Sequence, residues 1–399
     1  MLDVFSLRLF GGPAPGVTSG ILQTRRPFLI SEAMPFKSTL KRIVLAALFF
    51  SIALPVRGAG PPKQAPGLAA ETLRQAGATH NLIIGAAASS RYLSEPDYAA
   101  VLGTEFSQLQ AENEMKFAVI HPRPNADLQP YDFSRADALV AFAQNHNMLV
   151  RGHTLVWHKQ VPKWISEGSY TPPELANILL DHTTTVMNHF GSKVYAWDVV
   201  NEAFNDDGSM RNSVWYNQPG IGFAGSGTRY IEQALEWAHA ANPNAKLFYN
   251  DYDAETINQK SDAIYAMAKD FKKRGVPLDG IGFQTHITLN FDNPEKLASY
   301  ARNLKRFAKL GLDLHITELD IRLNDSSAAS LKQQAKLYAE ITQLCFRQRQ
   351  CKVLQTWGFT DKHSWIPGFF PGMDWALMWD ANYAKKPAYS AVEDALEKR

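Results

Sequence analysis

WDVVNEAFND at residues 197–206 and HITELDIR at 315–322 decide the reading of the fold. Each begins as a short apolar run rich in β-branched residues and then turns polar, at Asn201 and Glu202 in the first and at Glu318 and Asp320 in the second. A strand buried on both faces reads as such a run, and functional groups gather at the carboxyl ends of strands in parallel barrels. Working outward, eight runs share this form. They are LIIGAAA at 82–88, TEFSQLQ at 104–110, MLVRGHTL at 148–155, VYAWDVVN at 194–201, KLFYN at 246–250, GIGFQTH at 280–286, LDLHITELD at 312–320 and VLQTWGF at 353–359. Longer stretches of helical period separate them. Between the third and fourth, Thr171 and Glu174 form a capping box, Pro172 takes the first helical position, and Gly191 stops the helix. Leu175, Ile178, Leu179 and Val186 then share one stripe.

Eight βα units over about 330 residues predict an α/β chain folded as a single (β/α)8 TIM barrel. A doubly wound open sheet is the alternative, and it calls for a Gly-x-Gly-x-x-Gly turn directly after a strand. The nearest stretch, GIGFAGSG at 220–227, follows no strand.

The full chain has 399 residues, 45% hydrophobic and 20% charged, a globular composition rather than a disordered or fibrous one. With 41 Lys plus Arg against 39 Asp plus Glu, the net charge of +2 supplies no field to hold a polyanion, so nucleic acid is not expected as a partner. The densest basic stretch, Lys269 to Arg274, is interrupted by Asp270 and Phe271 and reads as a solvated helix face.

Residues Ile43 to Val56, IVLAALFFSIALPV, are too short for the roughly 20 residues a membrane-spanning helix needs. Lys37, Lys41 and Arg42 precede them and the small residues of GAG at 58–60 follow, the pattern of a secretory signal peptide over 34–60. Residues 1–33 precede a second natural start, Met34, and read as an over-extended frame or an untidy leader. A linker at 61–66 then leads into the barrel domain at 67–399. The expected destination is extracellular or periplasmic, with no membrane association after cleavage. Cys345 and Cys351, six positions apart, are expected to close a small disulfide loop in an oxidising compartment, worth about 2.4 kcal/mol by chain entropy; two reduced core thiols are the alternative.

Glu202 and Glu318, closing strands four and seven, would meet across one barrel mouth. Paired carboxylates suit glycosidic hydrolysis: one must be protonated to expel the leaving oxygen while the other stays ionised to meet the developing oxocarbenium ion. Trp157, Trp357 and Trp365, at or just after strand ends, offer flat faces against which pyranose rings can lie. His153 with His158, and His182 with His189, lack metal-ligand spacing, and no Gly-x-Ser-x-Gly elbow is present.

From about Gly67 onward the chain resembles the glycoside hydrolase family 10 endo-β-1,4-xylanases. The resemblance rests on GAAASSRYL at 85–93, ENEMK at 112–116, RGHTLVWHKQVPKW at 151–164, WDVVNEAF at 197–204, NDYD at 250–253, GIGFQTHI at 280–287, ITELDIR at 316–322 and TWGFTDKHSW at 356–365. It implies that Glu202 is the acid/base, Glu318 the nucleophile, and Asn201 the partner of the sugar 2-hydroxyl. His286, supported by Asp320, would orient Glu318. Glu112, Asn113, Lys116, His153 and Gln160 match residues lining the glycone subsites. Trp357 and Trp365 would wall the subsite beside the cleaved bond, and Trp157, Tyr252 and Gln284 complete the pocket. Cys345 and Cys351 sit where many members place a short-loop disulfide. Two departures are Asp253, where Asn is more usual, and GMDWALMWD at 372–380, which would alter entry on the glycone side.

The implied reaction is retaining, endo-acting hydrolysis of xylan or xylo-oligosaccharides by a monomer without cofactor or metal. Glu318 attacks the anomeric carbon as Glu202 protonates the departing oxygen, and the Glu318 charge is expected to raise the pKa of Glu202 until that charge is lost in the covalent intermediate. A β-1,4-glucan hydrolase and a catalytically dead carbohydrate-binding barrel are the competing readings.

Overall fold

Alternating apolar runs and capped helices fold as the sequence pattern predicts, into a closed ring of parallel strands; the computed structural model describes residues 72–397. The stretches read from the sequence as a leader (1–33), a signal peptide (34–60) and a linker (61–66) lie outside the described residues. The barrel strands are β1 (Ile83–Ala88), β2 (Gln108–Ala111), β3 (Leu149–Trp157), β4 (Ala196–Asn201), β5 (Lys246–Asp251), β6 (Gly280–Phe283), β7 (Asp313–Arg322) and β8 (Cys351–Thr356). Each pairs in parallel with the next, and β8 returns to β1 with Val353 opposite Ile83, which excludes an open doubly wound sheet.

Three runs depart from their expected limits by three residues or more. The second strand starts only at Gln108, because the helix Pro96–Glu105 claims Thr104 and Glu105. The sixth breaks after Phe283, where Thr285 takes a left-handed φ of 63°; a separate short strand, His286–Thr288, then pairs with the far half of β7. The eighth ends at Thr356, and Gly358, at φ 83°, turns the chain out of the sheet. These breaks matter because they set where the side chains beyond the strand ends project.

The helix Pro172–Phe190 shows why the outer layer forms where it does. The Glu174 carboxylate accepts both the backbone N–H and the hydroxyl of Thr171 at 2.7 Å, and Gly191 closes the helix at φ 50°. Leu175, Leu179 and Val186 are fully buried, and Ile178 is half-buried at the edge of the stripe.

The barrel interior is largely polar. Arg151 pairs with Asp198 and approaches His315 Nδ1 at 2.6 Å across the barrel, while Gln355 joins Gln108 at 2.6 Å and Gln110 at 2.8 Å. Burial works against the charge on Asp198, but Arg151 and His153 outweigh it and hold the carboxyl below its ordinary value. Such groups are tolerable inside only because each is paired. Gly282 leaves room for this packing, since a Cβ there would overlap the Asn250 side-chain oxygen.

Cys345, near the end of the helix Ala328–Phe346, is disulfide-bonded to Cys351 at the start of β8, with Cα atoms 5.2 Å apart, so the reduced-thiol alternative does not hold. Replacing both cysteines by serine is expected to cost about 2 kcal/mol through the unfolded chain's extra freedom. Calorimetry should show a midpoint lower by a few degrees, and an unchanged midpoint would refute the estimate.

Candidate active site

The carboxyl ends of the strands surround a cleft of about 600 Å³. β2 is followed by Glu112, Asn113 and Lys116; β3 contributes His153 and Trp157, with Gln160 just beyond; β4 ends at Asn201 with Glu202 next. Tyr252 follows β5, Gln284 follows β6, His286 opens the short strand, Glu318 lies within β7, and Trp357 and Trp365 come after β8. All of these residues, singled out from the sequence, line the one cleft, and Asp320 stands directly behind it.

Glu202 and Glu318 are buried, only 7% and 4% exposed. Glu202 accepts hydrogen bonds from Trp157 Nε1 at 2.9 Å, Gln284 Nε2 at 3.0 Å and Asn201 Nδ2 at 3.2 Å. Glu318 accepts from Asn250 Nδ2 at 2.8 Å and lies 3.1 Å from His286 Nε2. The same Asn250 Nδ2 reaches Asn201 Oδ1 at 2.9 Å, so two amides span the gap between the carboxylates.

The donors around Glu202 reverse its expected titration. Burial pushes the carboxyl up, but hydrogen bonds from Gln284 and Trp157, helped by the nearby Lys159 charge, hold it below its ordinary value. The anticipated rise from a Glu318 charge is thus overridden by direct donors, which act at shorter range.

His286 does the opposite. Burial lowers its pKa, yet Asp320 and Glu318 overcome this and push it up to about 10. The ring is therefore an imidazolium that donates Nδ1–H to Asp320 Oδ2 at 2.7 Å and Nε2–H to Glu318. Trp365 Nε1 donates to the same Asp320 oxygen at 2.8 Å, tying the aromatic wall to the carboxylate–histidine pair.

On the β2 side, Lys116 is buried, donates to Asn113 Oδ1 at 3.0 Å and lies 4.9 Å and 5.4 Å from the ring centroids of Trp157 and Trp357. Burial lowers its pKa against the pull of Glu318, Glu112 and Glu202. Burial and Glu114 push Glu112 up to about 7, with Lys116 pulling the other way. Gln160 joins Asn113 at 3.2 Å, and His153 is fixed through Nδ1 by Asp198 at 3.0 Å. Tyr252 receives a hydrogen bond from Arg211 at 2.8 Å.

The Glu202 backbone is left-handed, with φ 56°, a conformation unusual for a non-glycine residue and common at functional sites. Its N–H donates to Asn250 O at 3.0 Å, its carbonyl accepts from Arg211 Nε at 3.0 Å, and the next N–H donates to Tyr249 OH at 2.9 Å. Asn250, Arg211, Lys159, Arg322, Phe369 and Phe370 were not singled out as site residues from the sequence. Asn250 closes the run KLFYN as Asn201 closes its own, and Arg322 closes HITELDIR, so the same rule would have found both; the others lie beyond the strand ends with no comparable signal. Among the described residues no group of three or more His, Cys, Asp and Glu is arranged to hold a metal ion.

Comparison with known proteins extends over this whole domain. The model of Glycosyl hydrolase family 10 matches residues 72–395. The chain is 45% identical to endo-1,4-beta-xylanase B of Thermotoga neapolitana, over 80% of this chain and 90% of that protein. It is 38% identical to endo-1,4-beta-xylanase C of Phanerodontia chrysosporium, over 82% and 79%. Among solved structures, xylanase 10B from Thermotoga petrophila RKU-1, in complex with xylobiose, superposes with a TM-score of 0.77 at 45% identity, covering 83% of this chain and 98% of that one. With a family match spanning the barrel and relatives of this identity across most of both chains, the chain belongs to glycosyl hydrolase family 10.

Proposed function

We propose that the protein is an exported endo-1,4-β-xylanase that cleaves internal bonds of xylan with retention of anomeric configuration. The observation that carries this reading is the pair of buried carboxylates, Glu202 and Glu318, facing one cleft and held by different kinds of partner. Glu318 lies within hydrogen-bonding reach of an imidazolium, which aims it as a nucleophile. Glu202 is surrounded by neutral donors that a sugar can compete for, which suits a group that must both give and take a proton.

In the first step Glu318 bonds to the anomeric carbon while Glu202 passes its proton to the departing glycosidic oxygen. In the second, Glu202 takes a proton from water, which displaces Glu318 and regenerates both carboxyl groups. Gln284 and Trp157 line the cleft, so a bound sugar loosens their hold on Glu202 and lets the Glu318 charge draw it toward the protonated form. Asn201 stands beside Glu202 to meet the 2-hydroxyl, a bond that strengthens as the ring flattens. The Trp157, Trp357 and Trp365 rings supply the sugar-facing walls. The signal-like residues 34–60 and the Cys345–Cys351 disulfide support export to an oxidising compartment.

Oligosaccharide release from soluble xylan and from carboxymethyl-cellulose, with Glu318→Ala as control, tests the assignment. Xylo-oligosaccharides from the wild type alone are expected, with β-configured first products by NMR; α-configured products or release only from the glucan would refute it. Glu202→Ala should lose far more activity on xylan than on aryl xylosides with good leaving groups, whereas equal losses would remove Glu202 from its role.

Two pH effects follow from the charge environment. Gln284→Ala removes a donor that holds Glu202 down, so the alkaline limb of kcat/KM should move to higher pH; an unmoved or lowered limb counts against it. His286, with its folded pKa above its unfolded one, stabilises the fold fully below about pH 6.5 and loses this contribution as pH rises through about 10. The stability gap between wild type and His286→Asn in denaturant titrations should accordingly shrink from pH 6 to pH 10, and a constant gap would contradict the imidazolium.

A further inference from the structure

Arg322 lines the cleft, yet nothing in the reaction above uses it. Side chains two apart on a strand share a face, so Glu318, Asp320 and Arg322 form a row along β7 that leads from the reacting bond toward the rim. The guanidinium lies over the Phe370 ring, 4.1 Å from its centroid. Its Nε and Nη1 are buried without a hydrogen-bond partner among the described residues, and so is Asp320 Oδ1, so the two residues do not satisfy each other. The other Asp320 oxygen is taken by His286 and Trp365.

Beside Arg322 stands an aromatic corner. Phe369 packs 5.0 Å from both Trp365 and Phe370, and is 59% exposed at the rim of the cleft. An exposed aromatic face next to a cation without an acceptor offers a pyranose ring something to lie on and a carboxylate something to meet. Guanidinium recognises carboxylate with charge-assisted hydrogen bonds, and unpartnered buried donors make the arrival of an acceptor more favourable.

We propose that Arg322, Phe369 and Phe370 form a subsite for a uronic-acid side group carried by the polysaccharide, seated beside the backbone residue that Trp365 covers. This rests on the xylanase reading and adds to it a preference among branched substrates: the acidic branch is bound rather than merely tolerated.

The test compares kcat/KM on three substrates: linear xylohexaose, a xylo-oligosaccharide bearing one glucuronic-acid branch, and the same oligosaccharide with the branch carboxyl reduced to an alcohol. The wild type should favour the acidic over the reduced substrate several-fold. Arg322→Gln should bring the acidic-to-reduced ratio close to one whatever its activity on xylohexaose, and Arg322→Lys should restore part of it. Equal handling of acidic and reduced substrates by the wild type, which needs no variant to fold, would overturn the subsite. So would an equal loss on all three substrates in Arg322→Gln, which would make Arg322 a support for Phe370. A wild type inert on xylohexaose would overturn the underlying function, and the subsite with it.

Discussion

One side-chain amide holds the centre of this molecule together. Asn250, at the fifth position of β5, donates through Nδ2 to Glu318 on β7 and to Asn201 on β4, while Thr317 donates to its oxygen at 2.7 Å. Three strands that are not all neighbours thus meet on one residue, and its backbone carbonyl also accepts the Glu202 N–H. The sheet must curve into a barrel for this to happen, since β7 is two strands from β5 and Glu318 reaches Asn250 only across the inside of the ring. The polar interior below, from Arg151 and Asp198 to Gln108 and Gln355, continues the same logic: groups that would be costly if left unpaired fix the relative rotation of the strands.

The fold was legible because strands buried on both faces leave a simple mark, and helices between them carry caps and stripes. What was not legible lies at the strand ends. Nothing in GIGFQTH announces that Thr285 will turn left-handed and that His286 will restart as a separate strand beside β7, because that break is stabilised by tertiary contacts, including the Glu255 carboxylate accepting the Thr285 N–H at 2.8 Å. Likewise TEFSQLQ looks uniform, yet its first two residues belong to a helix whose Glu105 accepts the Leu73 N–H at 3.0 Å.

The site divides in the same way. Residues that close apolar runs or sit within dense motifs could be found, and Glu202, Glu318, Asn201 and the tryptophans all line the cleft. Residues whose importance is relational could not. Arg211 lies in an ordinary loop, and only the folded chain brings it to grip the Glu202 carbonyl and the Tyr252 hydroxyl together. The division of labour is also relational: Glu202 and Glu318 are alike in burial, and it is the difference between neutral donors and an imidazolium that separates their surroundings.

β7 is ten residues long and is registered twice, its first half against β6 and its second half against the short strand that begins at His286. A slip of one residue would turn its whole row of side chains to the other face, and two independent partners forbid it. Glu318, Asp320 and Arg322 are consequently mounted on a single rigid rail. Drift in the position of one carries the others with it, so the distance between the point of attack and the outer wall of the cleft is a fixed dimension of the protein, and change in what the cleft accepts has to come from the loops that face the rail.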